Sequence, residues 1–133
     1  MKVMILAAGR GERMGSLTKN IPKPLISARG KPLIEWHLEK LSTTGFKDIV
    51  INVCYLPKII KDFVGDGSRW QLKVTYSEEN PILETAGGIK NALPLLGKDP
   101  FAVINADIFS NFDYAKLKLI NLNNSSDGYL ILV

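Results

Sequence analysis

The feature that most constrains the fold is a repeated alternation of short apolar runs with stretches whose apolar residues recur at helical spacing. The apolar runs lie at positions 2–8, 48–53, 71–76 and 101–105, and stretches of helical period separate most of them. This alternation is typical of parallel β-strands joined by crossover helices. It predicts an α/β protein with a parallel sheet covered by helices.

The same pattern predicts individual elements. The predicted strands are 2–8, 48–53, 71–76, 101–105 and a last one from position 128, and the predicted helices are 32–44, 57–64, 85–93 and 114–122. Pro32 is suited to open the first helix and Gly45 to end it. The continuous apolar run at 101–105 predicts a central strand, because strands buried on both faces lack alternation.

Length and composition restrict the class of protein. The chain has 133 residues, 46% of them hydrophobic and 23% charged, which predicts one ordered globular domain. Every apolar run falls far short of the roughly 20 residues that cross a bilayer, and charged residues follow the first run directly. We therefore expect a cytoplasmic protein with no membrane partner. Cys54 is the only cysteine, which excludes an internal disulfide and a thiolate metal cage and predicts a buried, inert thiol.

The basic residues are unevenly distributed. The net charge is +4, and Lys19, Lys23, Arg29 and Lys31 crowd one segment beside a glycine-rich stretch. The other basic residues are spread thinly and mixed with acidic ones. This placement favours a phosphorylated small molecule over nucleic acid as the partner.

The strongest local signal is the segment 6–14, in which a buried strand breaks into a loop with glycines at 9 and 11, followed by one at 15. Glycine tolerates unusual φ values, so such a loop can turn backbone N–H groups toward phosphates. Taken alone, the glycines fit a plain tight turn equally well. A dinucleotide-binding fingerprint lacks its third glycine here, and no Gly-Lys-Ser/Thr completes a Walker loop.

Two basic side chains strengthen the phosphate interpretation. Arg13 lies in the loop, and Lys23 follows between Pro22 and Pro24, which predicts an extended segment. A lysine is a compact point charge for phosphate oxygens, and an arginine is a forked donor for them. A solvated lysine between two turn prolines is the alternative.

Together these motifs resemble the signature of the sugar-phosphate nucleotidyltransferase family. The resemblance begins with 7–14, Leu17-Thr18 and 22–24, and continues in order and spacing at 31–34, 83–88 and 105–107, across essentially the whole chain. This sequence has Gly15-Ser16 where the family commonly has Arg-Pro. The resemblance implies a Rossmann-like three-layer α/β/α sandwich of the glycosyltransferase-A type, of which residues 1–133 are the nucleotide-binding part.

The resemblance also implies roles for particular residues. The implied catalytic residues are Arg13, Lys23 and Asp107, with Asp107 as the Mg²⁺ ligand at the end of a strand. The residues implied to bind substrate are Leu6, Ala7, Ala8, Gly9, Gly11, Glu12, Glu79, Ala86, Gly87, Gly88 and Asn105. Among these, Leu6 to Gly9 and Glu79 are expected near the base and ribose.

Some residues keep a structural interpretation beside the functional one. Asp107 could instead cap a helix or close a strand, and Asp113 fits a helix cap as well as a site residue. His37, the only histidine, is expected at a surface or boundary position, and Trp36 is expected in the core.

The activity that the resemblance implies joins a nucleoside triphosphate to a sugar 1-phosphate with Mg²⁺ as cofactor and releases pyrophosphate. Segments 63–68, 82–89 and 92–97 are most similar to uridylyltransferases that act on N-acetylmuramate 1-phosphate in cell-wall recycling, which favours UTP. Mannose-1-phosphate guanylyltransferases, cytidylyltransferases of phosphorylated alcohols and non-catalytic nucleotide-binding modules are the alternatives. Because the chain stops inside a predicted buried strand, we expect a fragment or a short relative, with the second metal ligand in the part that would follow, and a possible homodimer through the exposed strand.

Overall fold

The computed structural model describes residues 1–120 and 127–132. Its strands are β1 (Val3–Leu6), β2 (Ser27–Ala28), β3 (Lys31–Pro32), β4 (Asp48–Val53), β5 (Lys73–Glu78) and β6 (Ala102–Asn105). Its α-helices are α1 (Leu33–Thr43), α2 (Pro57–Val64) and α3 (Glu84–Leu96), and 3₁₀ segments lie at Glu12–Thr18, Lys23–Leu25, Ser68–Trp70 and Tyr114–Leu119.

The main sheet has four strands in the order β5-β4-β1-β6, and every neighbouring pair is parallel. Val3 of β1 pairs with Ile49 on one side and with Ala102 on the other. A separate antiparallel hairpin joins β2 and β3 just before α1. The predicted α/β class with a parallel sheet is confirmed.

Side chains of the central strands enter two separate cores. Val3 and Ile5 pack with Ile34 and Leu38 of α1, whereas Met4 packs on the opposite face with residues of α3. Successive residues of a strand point to opposite faces, so the uninterrupted apolar run of β1 covers both faces of the sheet. This arrangement gives the three layers.

The prediction that 101–105 is a central strand was wrong for the part of the chain that the structure describes. β6 is an edge strand there, paired only with β1, and Val103 is 39% exposed. The central strands are β1 and β4. An apolar run does not identify which strands lie beside it, because neighbours are set by contacts between distant parts of the chain.

The last predicted strand is also absent from the described residues. Positions 128–132 have no strand assignment, and Tyr129, Leu130 and Leu132 are all largely exposed. Val133 and the segment 121–126 lie outside the described residues. High β-propensity makes a strand only where a neighbouring strand supplies the hydrogen bonds.

The remaining boundaries differ modestly from prediction. β4 and α2 have the predicted limits, β1 is shorter, and α3 extends over Glu84–Leu96. The predicted 114–122 helix is a 3₁₀ helix at Tyr114–Leu119, and position 122 lies outside the described residues. Gly45 follows the end of α1 with φ 78°, and the N–H of Phe46 donates to the carbonyl of Leu41. Across the residues described, no helix combines the length and apolar character that a membrane crossing requires.

Candidate nucleotide-binding site

A cleft of about 180 Å³ opens where β1, β4, β5 and β6 reach their carboxyl ends. Ligands bind at this edge of open parallel sheets, because the connecting loops leave a crevice there. The cleft is lined by Leu6, Ala7, Ala8, Gly9, Lys23, Pro24, Asn52, Glu79, Ile82, Glu84, Thr85, Asn105, Ala106 and Asp107.

The glycine-containing loop forms one wall. Gly11 has φ 65°, and a Cβ atom there would approach Thr18 Cγ2 to 2.9 Å and Lys23 Cβ to 3.3 Å. The Thr18 hydroxyl donates to the carbonyl of Gly11 over 2.9 Å, and Tyr55 Oη donates to the carbonyl of Thr18 over 3.0 Å. Gly11 is therefore needed for the loop to pack against Thr18 and the lysine stem.

Lys23 begins a single 3₁₀ turn, not the extended segment expected from its flanking prolines. The N–H of Leu25 donates to the carbonyl of Pro22, and the N–H of Ile26 donates to the carbonyl of Lys23. Of residues 22–24, only Pro22 has an extended conformation. The turn directs the Lys23 ammonium across the cleft, where it forms an ion pair with Asp107 Oδ2.

Asp107 lies two residues after the end of β6, so the sheet edge carries its carboxylate to the mouth of the cleft. Lys23 and Asp107 side chains are 29% and 33% exposed, and a pair so open to water contributes at most about 1 kcal/mol. Such a pair opens readily when another partner arrives. The chain between 1 and 120 and between 127 and 132 has no cluster of three or more metal-ligating side chains. One carboxylate nevertheless fits Mg²⁺, which is usually held by one or two carboxylates together with substrate phosphates and water.

A buried polar network lies at the inner end of the cleft. Asn52 Oδ1 accepts from the N–H of Ala7 over 2.7 Å, and Asn52 Nδ2 donates to Glu79 Oε1 over 2.7 Å. Glu79 Oε2 accepts from the N–H of Leu83 over 2.9 Å. Asn52 is 3% exposed and Glu79 is 5% exposed. Asn52 was missed by sequence reasoning, although an amide in the otherwise apolar run 49–53, near a strand's carboxyl end, is a recognisable signal.

The predicted site residues separate into three groups. The cleft brings together Leu6, Ala7, Ala8, Gly9, Lys23, Glu79, Asn105 and Asp107. Gly11 lies behind Lys23, and Gly88 lies against Glu79. Glu12, Arg13, Ala86 and Gly87 are outside the cleft lining, and of these Glu12, Arg13 and Ala86 are exposed. The roles of the predicted residues in every group stay predictions.

Of the basic residues near the loop, only Lys23 lines the cleft. Lys31 forms an ion pair with Glu39, and Arg29 lies 5.9 Å from the centroid of the Phe109 ring. Lys19 lines a separate shallow groove beside Tyr55. The crowding of positive charge in the sequence therefore does not become one basic patch.

His37 is buried, at 3% exposure, so the expected surface or boundary position was wrong. Its Nδ1 lies 2.7 Å from Tyr114 Oη, and its Nε2 has no hydrogen-bond partner within the residues described. Burial lowers the pKa of His37, and the nearby positive charge of Lys40 lowers it further, against smaller opposing effects of the Ala106 backbone and Asp107. The position of His37 along α1 could not show its burial, because the 3₁₀ helix at Tyr114–Leu119 covers the side of α1 on which His37 lies.

We expect the lowered pKa of His37 to make the fold less stable in mild acid. The unfolded chain takes up a proton near the ordinary pKa of about 6.5, whereas the folded chain resists protonation until lower pH. The free energy of unfolding should therefore fall as pH drops from 7.5 to 5.5, measured by urea denaturation. His37→Gln should flatten that change, since the chain has no other histidine; an equally steep fall in the variant would contradict this origin.

Three structural interpretations can be compared with the structure. Asp113 caps the 3₁₀ helix, because its Oδ1 accepts from the N–H of Ala115 over 2.9 Å. Trp36 is half-buried, with its indole N–H donating to the carbonyl of Ala28 over 2.9 Å. Cys54 is half-buried too, contrary to the expectation of a fully buried thiol.

The chain is similar to curated proteins over most of its length. The chain is 55% identical over 115 residues to N-acetylmuramate alpha-1-phosphate uridylyltransferase of Neisseria meningitidis serogroup B, a match covering 86% of this chain and 50% of that protein. It is 33% identical to mannose-1-phosphate guanyltransferase of Gibberella zeae, covering 99% of this chain and 37% of that protein. The chain thus spans half or less of these curated relatives.

Solved structures share the fold. HddC from Yersinia pseudotuberculosis complexed with GMP-PN matches with a TM-score of 0.78 at 36% identity, covering 89% of this chain and 52% of that one. A putative glucose-1-phosphate thymidylyltransferase from Bacillus anthracis in complex with a sucrose matches with a TM-score of 0.82 at 28% identity, covering 90% of this chain and 49% of that one. The family model described as Nucleotidyl transferase matches residues 2–131. The chain, with its parallel sheet and its cleft at the strand ends, therefore belongs to the nucleotidyl transferase family.

Proposed function

We propose that this chain binds a nucleoside triphosphate in the cleft and transfers its nucleotidyl group to a sugar 1-phosphate. The observation that carries the proposal is the meeting of Lys23 and Asp107 at the mouth of a cleft whose walls are the glycine loop and the Asn52–Glu79 pair. A cation for phosphate and a carboxylate for Mg²⁺ are the charges that the reaction requires.

In the proposed reaction, a phosphate oxygen of the sugar 1-phosphate attacks the α-phosphorus of the triphosphate in line. The new P–O bond forms as the bond to pyrophosphate breaks, and the pyrophosphate leaves with that electron pair. Mg²⁺, when bound, supplies positive charge to the phosphate oxygens and orients them. The chain's own groups position the triphosphate and neutralise it, so no nucleophilic side chain is needed.

Each partner of the Lys23–Asp107 pair exchanges one counterion for another when substrate binds. Lys23 would bind phosphate oxygens, and Asp107 would hold Mg²⁺. Arg13 is exposed in the loop before Lys23, from which its forked donor engages the triphosphate as the loop folds over it. Before substrate binds, Lys23 and Asp107 partly neutralise each other. Separating the two side chains costs at most about 1 kcal/mol.

UTP and N-acetylmuramate 1-phosphate are the substrates that the relatives favour. The uridylyltransferase relative is 55% identical, whereas the guanyltransferase relative is 33% identical. We propose a role in cell-wall recycling in the cytoplasm on this basis. The sugar subsite, a second metal ligand and any homodimer remain expectations, because the chain spans only 50% of the uridylyltransferase relative.

The test is calorimetric titration of UTP, GTP, CTP and dTTP into the chain, with and without Mg²⁺. We expect UTP to bind most tightly and Mg²⁺ to strengthen its binding. Tightest binding of CTP would favour a cytidylyltransferase, and binding indifferent to Mg²⁺ would favour a non-catalytic module. Absence of binding by every triphosphate would overturn the proposal.

A further inference from the structure

The hydrogen bonds of Asn52 assign the orientation of its amide. The N–H of Ala7 can only donate, so the atom that it contacts at 2.7 Å is the amide oxygen. The amide nitrogen must then face Glu79, to which it donates over 2.7 Å. A main-chain group of the glycine loop thus determines what the side chain on β4 offers to Glu79.

Glu79 is consequently held with an N–H donor on each oxygen. Asn52 donates to Oε1, and the N–H of Leu83 donates to Oε2. An ionised carboxylate has about four lone-pair positions and no donor. With two positions used by the protein, the rest of this cleft-lining group can only accept hydrogen bonds from a ligand.

Gly88 provides the space that the pair needs. A Cβ atom at position 88 would lie 2.6 Å from Glu79 Oε1 and 2.9 Å from Asn52 Nδ2. The two atoms joined by the hydrogen bond are those that such a Cβ would displace. The first part of α3 therefore closes over the pair only because it has no side chain there.

We infer that Asn52 is a positioning residue that holds Glu79 as an acceptor, so that the pair selects nucleotides whose base has a ring N–H over those whose base lacks one. Uracil, thymine and guanine have a ring N–H on the edge that pairs with another base, whereas cytosine and adenine present a ring nitrogen lone pair there. A carboxylate that faces the ring nitrogen accepts from the N–H of uracil, thymine or guanine but repels the lone pair of cytosine or adenine, so it favours the first group. The inference rests on the proposed function and specifies the class of nucleotide that it uses.

The test compares the dissociation constants of UTP and CTP, together with urea unfolding, in four variants. Asn52→Asp places a second carboxylate against Glu79, and Glu79→Gln places an N–H against the N–H of Leu83. In the double variant Asn52→Asp/Glu79→Gln, every donor again faces an acceptor. Position 79 then donates to position 52 instead of accepting from it. Asn91→Asp is the matched control, because Asn91 Nδ2 donates to Ser77 Oγ and the carbonyl of Glu78 away from the cleft lining.

The unchanged chain and Asn91→Asp should prefer UTP to CTP by about a hundredfold. Asn52→Asp and Glu79→Gln should each weaken UTP binding by about tenfold or more and unfold at lower urea. The double variant should recover the unfolding midpoint while its preference for UTP falls below about tenfold, since position 79 then offers an N–H to the base.

Two results would overturn the inference while leaving the proposed function intact. One is equal binding of UTP and CTP by the unchanged chain in the presence of Mg²⁺. The other is a double variant that regains stability and the UTP preference together, as a purely structural pair would. Failure of the unchanged chain to bind any triphosphate would instead overturn the proposed function and the inference with it.

Discussion

Replacing Lys23 with methionine should slow pyrophosphate release by about two to three powers of ten, comparable to the loss of one preorganised charge-stabilising donor. Methionine preserves much of the stem that packs near Gly11 but removes the ammonium that faces the cleft. The change leaves the fold little affected, because the Lys23–Asp107 pair is partly exposed. The measurements are pyrophosphate release with UTP and sugar 1-phosphate, and the dissociation constant of MgUTP.

Lys19→Met is the control for this prediction. Lys19 carries the same charge in the same segment, but it lines the shallow groove near Tyr55 and not the cleft. It should change the rate by less than about threefold, since it alters only a screened surface charge. Equal losses in the two variants would show that general positive charge, and not the position of Lys23, matters.

Asp107→Asn should have two opposite effects on nucleotide binding. The strengthening of UTP binding by Mg²⁺ should be lost, at a cost of about tenfold to hundredfold in affinity, because a neutral amide is a poor ligand for this ion. Without metal, the variant should bind UTP more tightly than the unchanged chain. Lys23 is then free of its ion pair, and the carboxylate of Asp107 no longer repels the triphosphate.

Calorimetric titration of UTP at several Mg²⁺ concentrations measures both effects. Asp113→Asn is the matched control, because Asp113 caps the 3₁₀ helix at Tyr114–Leu119 and asparagine is an equally good cap. That variant should keep the full response to Mg²⁺. An unaltered Mg²⁺ response in Asp107→Asn would remove Asp107 from the metal site.

Much of the candidate site was predictable because its residues lie at the ends of apolar runs. Glycines after β1, a lysine between prolines and an aspartate after β6 are local patterns, and parallel strands carry their carboxyl ends to one edge of a sheet. The loop, Lys23, Glu79 and Asp107 therefore line one cleft as the motifs indicate. Even here the sequence misled in one respect, since Lys23 begins a 3₁₀ turn and is not extended.

The predictions that failed concern residues whose environment comes from distant segments. His37 is buried because Tyr114 contacts it, although the two residues are 77 positions apart. β6 lies at an edge of the described sheet because pairing partners, not hydrophobicity, decide strand order. Asn52 was missed because its importance depends on Ala7 and Glu79, which contact it from other strands and loops.

The amino-acid sequence by itself determined the α/β class, the order of most elements and the candidate residues for phosphate and metal, because these depend on periodicity and on motifs of neighbouring residues. The tertiary structure decided which strands are central, which basic residue faces the cleft and what Glu79 can offer to a base. Those properties depend on hydrogen bonds, burial and ion pairs between segments far apart in the chain, and such contacts exist only once the chain has folded.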